Sequence, residues 1–122
     1  MALILVVDDD EDIRNLLHQY LSYAGYDVWV AEDAIAAGRL IVRRPPDLMI
    51  LDVTMPYMDG FEFAEALKGD LSLPYIPIIF LTSREHGSER AMALGAVAYQ
   101  MKPVSAPRLV ALVKEHLPAG TT

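Results

Sequence analysis

The chain has 122 residues, with 10 Lys or Arg against 17 Asp or Glu, so its formal net charge is −7. This length suits a single domain, and a hydrophobic content of 53% supplies a core without disulfide support. The absence of Cys excludes disulfides and thiolate metal sites, and the acidic balance argues against direct binding to nucleic acid or to an anionic membrane.

Apolar runs of strand length alternate along the chain with segments of helical periodicity. Leu3–Val7 is a continuous apolar run, which is typical of a strand buried on both faces. The next apolar residues recur at spacings of three and four and predict an amphipathic helix that stops at Gly25. The predicted elements in chain order are strand 3–7, helix 13–24, strand 27–31, helix 34–42 after an Asp33 cap, strand 48–51, helix 61–68, strand 77–81, helix 88–94, strand 97–101 and helix 106–116.

Five consecutive strand–helix pairs predict a doubly wound α/β fold, (βα)5, with one five-stranded parallel sheet between two layers of helices. No apolar run approaches the roughly 18 residues of a membrane span, and we expect a cytoplasmic protein. In such open sheets, ligands bind beyond the carboxyl ends of the strands, so the residues directly after each predicted strand are the candidate site.

Charged and hydroxyl side chains follow four of these strands. Asp8 and Asp9 follow the first strand, Asp52 the third, Thr82 the fourth and Lys102 the fifth. Neighbouring carboxylates repel, and a divalent cation such as Mg²⁺, which prefers oxygen ligands, would relieve that repulsion. An ammonium and a hydroxyl at the same edge suit phosphoryl oxygens. The residues therefore predict a phosphoryl-transfer site in which one Asp could act as the nucleophile.

Six short segments stand in a specific order and spacing along the chain, although each is weak alone. The segments are Val6-Val7-Asp8-Asp9-Asp10, Pro46-Asp47-Leu48-Met49-Ile50-Leu51-Asp52, Met55-Pro56 with Met58-Asp59-Gly60, Leu81-Thr82-Ser83, Gly95-Ala96 and Lys102-Pro103. Through these segments the chain resembles, along nearly its whole length, the receiver domain of two-component response regulators. The resemblance implies a flavodoxin-like sheet with strand order 2-1-3-4-5.

The resemblance also implies a role for each matching residue. Asp52 is expected to be the phosphoacceptor, with Asp8, Asp9, Asp52 and the backbone carbonyl of Thr54 holding Mg²⁺, or Mn²⁺ in its place. Thr82 and Lys102 are expected to bind the phosphoryl oxygens.

Further expectations concern switching and the lifetime of the phosphoryl group. Tyr99 occupies the position of the family's aromatic switch residue, which responds to movement of Thr82; packing in the core is the alternative role. The Lys102-Pro103 peptide is expected to be cis. Thr54 and Arg84 are expected to influence how long the phosphoryl group survives.

The expected partners are a histidine kinase or phosphotransfer protein as donor and a downstream protein or fused output domain as receiver of the signal. Output is expected through helix 4, strand 5 and helix 5. We expect a monomer or a weak phosphorylation-dependent dimer, with no direct contact to nucleic acid or membrane. The domain is predicted over residues 1–118, followed by a flexible tail or the start of a linker at 119–122.

The chain departs from the family pattern near helix 4. Thr82 and Gly95 are 13 positions apart, where about 15 is the expectation, so this segment is short by roughly two residues. Ser83 replaces the usual small Ala, Val97-Ala98 replaces the acids found in receivers that dimerise before DNA-binding domains, and Val104 replaces a frequent Phe.

Two other classes of function compete with the signalling switch. An aspartyl-nucleophile hydrolase would carry a second Asp two residues after Asp52, but Thr54 stands there. A degenerate receiver that only binds partners would have lost part of the acidic, hydroxyl and ammonium set, which is complete here. We therefore expect no classical turnover enzyme, but a chain that catalyses its own phosphorylation from phosphohistidine and its own slow dephosphorylation.

Overall fold

The computed structural model describes residues 1–117, and the predicted tail at 119–122 with its boundary at 118 lies outside them. Strands and helices alternate as the sequence predicted. The elements are β1 Leu3–Val7, α1 Glu11–Tyr23, β2 Asp27–Ala31, α2 Ala34–Arg43, β3 Leu48–Leu51, α3 Gly60–Gly69, β4 Ile78–Thr82, α4 Ser88–Ala93, β5 Ala98–Met101 and α5 Ala106–His116.

The five strands form one parallel sheet in the order β2-β1-β3-β4-β5, which confirms the predicted fold and strand order. Strands β4 and β5 each begin one residue later than predicted. The predicted first residue of β4, Pro77, has no N–H for the ladder, yet its carbonyl accepts a bond of 2.9 Å from the N–H of Met49. These differences therefore change element boundaries and not the topology.

Side chains alternate between two cores, one on each face of the sheet. Leu5 and Val7 of β1 point into a core shared with α2, α3 and α4, whereas Ile4 and Val6 point into a core shared with α1 and α5. The central strands β1, β3 and β4 are buried along their whole length. This explains why they read as continuous apolar runs and not as alternating ones. Within residues 1–117, no helix is both long and apolar enough to cross a membrane.

In the part of the chain that the structure describes, side-chain oxygens cap the N-termini of four of the five helices. Asp33, which was expected to cap a helix, accepts a bond from a backbone N–H of α2, and Asp10 does the same at α1. Asp59 and Glu62 form a capping box at α3, and Ser105 caps α5. Helix α4 is the exception, because Gly87 stands at its N-cap and offers no side-chain bond.

Gly38 is predicted to be a weak point of the fold. It lies inside α2, and a Cβ added there would meet no atom within 4 Å. Gly38→Ala is therefore expected to raise the free energy of unfolding by about 1 kcal/mol, because Ala is the better helix former. Gly25→Ala is the contrasting control. Gly25 has a φ of +99°, which Ala adopts only with strain, so this substitution should lower the free energy of unfolding. Urea unfolding of both variants checks the pair; a less stable Gly38→Ala would contradict the prediction.

Candidate functional site

The polar residues that follow the strands meet at one edge of the sheet. Asp8 and Asp52 follow the neighbouring strands β1 and β3, and both are buried, at 2% and 6% exposure. Thr82, also buried, ends β4, and the backbone N–H of Lys102 donates to its carbonyl at 2.9 Å. The topology thus brings four predicted site residues from four strands into one place.

Lys102 joins the two buried carboxylates directly. Its Nζ lies 2.7 Å from Oδ2 of Asp8 and 2.9 Å from Oδ2 of Asp52. Its side chain is 16% exposed, against 3% for Asp8 and 7% for Asp52. The ammonium is therefore held at the floor of the site by charge-assisted hydrogen bonds.

A third carboxylate completes an acidic cluster. One oxygen each from Asp8, Asp9 and Asp52 lie within 4.8 Å of one another, and Asp9 alone of the three is exposed. Three convergent carboxylate oxygens with one side open to solvent suit Mg²⁺, which keeps several waters and takes one or two protein carboxylates. Thr54 lies beside them, and its N–H donates to Oδ1 of Asp52 at 3.3 Å. These four residues could hold the ion.

The charges within the site are unevenly balanced. Burial raises the pKa of the Asp8 carboxyl, and hydrogen bonds from Lys102 and the Asp10 N–H reduce that rise without cancelling it. Burial acts to lower the pKa of Lys102, but its bonds to Asp8 and Asp52 outweigh burial and raise it. The site therefore favours the charged ammonium and disfavours the charged Asp8, because one cation serves two buried carboxylates. A divalent cation would supply the missing positive charge.

Asp8→Asn tests this imbalance. Because the raised pKa favours the protonated form in the folded state, ionisation of Asp8 with rising pH costs stability. In chelator at neutral pH, the variant is therefore expected to be as stable as the parent chain or up to about 1 kcal/mol more stable. Added Mg²⁺ should raise the melting temperature of the parent more than that of the variant, by mass action. Thermal melts with and without Mg²⁺ check both; a variant that melts lower in chelator would contradict the prediction.

A chain of contacts links Thr82 to Tyr99. Oγ1 of Thr82 accepts a bond of 3.2 Å from the N–H of Arg84, and the carbonyl of Arg84 accepts a bond of 2.5 Å from the Tyr99 hydroxyl. The Tyr99 ring also packs against Phe80, with centroids 6.2 Å apart, and burial raises the pKa of its hydroxyl. Tyr99 thus both packs against the core and contacts the loop after Thr82, whereas its role as a switch residue stays a prediction.

Phe61 packs against two arginine side chains and the segment before α4, a structural role that no sequence signal indicated. The guanidinium carbons of Arg84 and Arg90 lie 5.4 and 4.7 Å from the centroid of its buried ring. Each such contact contributes about 0.5–1 kcal/mol at exposed sites. A Cβ added at Gly87 would collide with the Tyr99 hydroxyl and come within 3.0 Å of the Phe61 ring. The short segment before α4 is therefore packed closely between Phe61 and Tyr99.

The Lys102-Pro103 peptide bond is cis in the structure.

Comparison with known proteins places this geometry in a family. A family model for the response regulator receiver domain matches residues 4–114. The response regulator MprA of Mycobacterium sp. (strain KMS) is 42% identical over 118 residues, which cover 93% of this chain and 50% of the relative. The chain thus spans about half the length of the curated relatives it matches.

Solved structures agree in fold and in extent. The chemotaxis protein CheY4 of Vibrio cholerae matches with a TM-score of 0.89 and 33% identity, covering 96% of this chain and 99% of that one. The N-terminal receiver domain of RstA from Klebsiella pneumoniae matches with a TM-score of 0.84 and 30% identity, covering 93% and 97%. With 111 of its 122 residues matched by the family model, the chain belongs to the receiver domains of two-component response regulators.

Proposed function

We propose that the chain accepts a phosphoryl group on Asp52 from a histidine kinase or phosphotransfer protein, with Mg²⁺ or Mn²⁺ bound, and thereby changes its binding to a partner. The observation that carries this proposal is the position of Asp52. Its buried carboxylate accepts a bond of 2.9 Å from the Lys102 ammonium, and one of its oxygens lies within 4.8 Å of oxygens from two further carboxylates able to share a cation. Membership of the receiver family supports phosphorylation-dependent signalling as the outcome.

The transfer is a nucleophilic displacement at phosphorus. A carboxylate oxygen of Asp52 attacks the phosphorus of phosphohistidine, the P–N bond breaks, and the imidazole leaves with the bonding electron pair. Oδ1 is the more readily freed oxygen, because its contact with Thr54 is longer than that of Oδ2 with Lys102. A bound Mg²⁺, held by Asp8, Asp9, Asp52 and the Thr54 carbonyl, would neutralise charge on the phosphoryl oxygens.

Lys102 and Thr82 provide the remaining stabilisation in this proposal. The Lys102 ammonium is already in the site and can exchange a carboxylate oxygen for a phosphoryl oxygen without a change of charge. Oγ1 of Thr82 accepts a bond from the backbone and keeps its own hydrogen to donate to the phosphoryl group. Catalysis is then positioning and charge neutralisation, as in phosphoryl transfer generally. Slow attack by water on the aspartyl phosphate releases phosphate and restores the Asp52 carboxylate. We propose that Thr54 and Arg84 influence the rate of this hydrolysis.

Transmission follows the contact chain from Thr82 to Tyr99. When Thr82 moves toward the phosphoryl group, its Oγ1 pulls on the Arg84 N–H that donates to it. The carbonyl of Arg84 in turn accepts a hydrogen bond from the Tyr99 hydroxyl, so the movement is passed to Tyr99. Tyr99 lies on β5, an edge strand beside α4, so the change reaches the surface formed by α4, β5 and α5. We propose this surface as the one that contacts a downstream protein or a fused output domain. We expect a monomer or a weak dimer formed on phosphorylation.

The test is phosphorylation of the purified chain by acetyl phosphate. Intact mass spectrometry is expected to show one added phosphoryl group with Mg²⁺ and none with excess chelator. Borohydride reduction of the acyl phosphate followed by peptide mapping should locate it at Asp52. Addition that is independent of Mg²⁺, or that maps to a different residue, would contradict the proposed site.

A further inference from the structure

Arg14 contacts the turn that carries the acidic cluster. It lies in the first turn of α1, and its half-buried side chain reaches back to the end of β1. There, Nη1 donates a bond of 2.8 Å to the backbone carbonyl of Asp8. The acceptor is thus a main-chain group between two of the proposed cation ligands.

That carbonyl belongs to the peptide group joining Asp8 to Asp9. Because the peptide group is planar, fixing the carbonyl direction also fixes the direction in which the chain leaves for Asp9. The other polar groups of Asp8 are held as well. Its N–H donates to the Ala31 carbonyl at 3.1 Å, and its carboxylate accepts from the Asp10 N–H at 2.9 Å and from Lys102. Asp9 is the exposed member of the cluster, so its placement depends most on the peptide that Arg14 holds.

We propose that Arg14 is a positioning residue for cation binding. It orients the Asp8–Asp9 peptide and so keeps the two carboxylates at the spacing that one divalent cation requires. This inference rests on the proposed function, because it assumes that the cluster binds Mg²⁺. Removal of a group that hydrogen-bonds to a metal ligand and orients it commonly lowers metal affinity by about 10–100-fold.

The charge and the hydrogen bond of Arg14 have opposite effects on affinity. The guanidinium repels a divalent cation, so loss of its charge alone would tighten Mg²⁺ binding. Loss of the bond to the Asp8 carbonyl would weaken it. Arg14→Ala removes both, and we expect the bond to dominate, because the charge is screened by solvent whereas the bond sets ligand geometry. The sign of the change in Kd therefore distinguishes positioning from simple electrostatics.

The experiment is calorimetric titration of Mg²⁺ into the parent chain, Arg14→Ala, Arg14→Lys and Arg108→Ala. Arg108 is the matched control, an exposed Arg in the first turn of α5 at the same edge of the sheet. We expect Arg14→Ala to raise Kd about tenfold, Arg14→Lys to restore part of that loss through its one ammonium donor, and Arg108→Ala to remain within twofold of the parent. All titrations are made at a temperature where circular dichroism shows each variant folded. If Arg14→Ala does not fold, the Kd of Arg14→Lys is compared with that of Arg108→Ala. A higher Kd for Arg14→Lys supports positioning by Arg14, and an equal Kd contradicts it.

The outcomes separate this inference from the proposed function. Asp9→Asn serves as the standard for loss of a cation ligand. If the parent binds Mg²⁺ and Asp9→Asn does not, but Arg14→Ala binds with unchanged or tighter Kd, positioning by Arg14 is wrong and the proposed site stands. If the parent binds no Mg²⁺, both are overturned.

Discussion

Asp52→Asn is expected to abolish phosphorylation of the chain by acetyl phosphate. The amide has nearly the shape of the carboxylate but lacks the anionic oxygen that attacks phosphorus. It also supplies a neutral oxygen where Lys102 now makes a charge-assisted bond of 2.9 Å. We expect less than about 1% of the parent's initial rate, which corresponds to a barrier higher by at least about 2.7 kcal/mol. Intact mass spectrometry over a time course measures the ratio.

Asp27→Asn is the matched control for this substitution. Asp27 is exposed at the start of β2, at the opposite edge of the sheet from the site, and loses the same charge. It should be phosphorylated at the parent's rate. Equal phosphorylation of Asp52→Asn and Asp27→Asn would mean that another residue is the phosphoacceptor. Loss in both would point to a general effect of net charge instead of the chemistry of one carboxylate.

The fold could be predicted from sequence because its signals are local. Buried parallel strands such as Leu3–Val7 read as continuous apolar runs, and side-chain caps such as Asp33 mark where helices begin. The site followed from the fold, because parallel strands deliver the residues after them to one edge. Asp8, Asp52 and Lys102 could therefore be expected to meet although they are up to 94 positions apart.

Contacts that depend on packing between elements could not be predicted in this way. Nothing in the sequence indicates that Arg14 turns back to the Asp8 carbonyl, or that Arg84 and Arg90 lie against the ring of Phe61. Tyr57 adopts a left-handed backbone with φ of +72°, which a non-glycine residue seldom does and which its side chain does not signal. Such features depend on distances across the fold, and periodicity carries no information about them.

The shortened segment after β4 illustrates both cases. The spacing from Thr82 to Gly95 predicted that the loop or helix 4 in this segment is shortened; in the structure α4 has six residues and no side-chain cap. The spacing could not show which contacts hold so short a helix in place. Arg90 of α4 lies 4.7 Å from the Phe61 ring, and Phe61 is the second residue of α3. The short helix is therefore tied to α3, whose first residue, Gly60, donates a hydrogen bond to the carbonyl of Val53 in the loop after β3.

Gly60→Ala is expected to be the most destabilising single substitution that we propose. A Cβ at Gly60 would collide with the carbonyl oxygen of Asp52 and lie 3.0 Å from both the Asp52 carbonyl carbon and the Cα of Val53. All three are backbone atoms, so no side-chain rotation relieves the contact. The N–H of Gly60 also donates to the Val53 carbonyl at 2.8 Å, which holds α3 against the loop. Overpacking of this kind costs about 1–3 kcal/mol, and we expect the upper end of that range.

Gly69→Ala separates this contact from the general effect of replacing a glycine. Gly69 ends the same helix, and a Cβ there would meet no atom within 4 Å. Both substitutions restrict the unfolded chain equally, which favours folding by about 0.4–1 kcal/mol. Urea unfolding should therefore show Gly69→Ala unchanged or more stable and Gly60→Ala less stable by about 2–3 kcal/mol. Because two of the three atoms crowded in Gly60→Ala belong to Asp52, phosphorylation of this variant should slow even where it is fully folded. Equal stability of the two variants would show that α3 can move away from the phosphoacceptor at little cost.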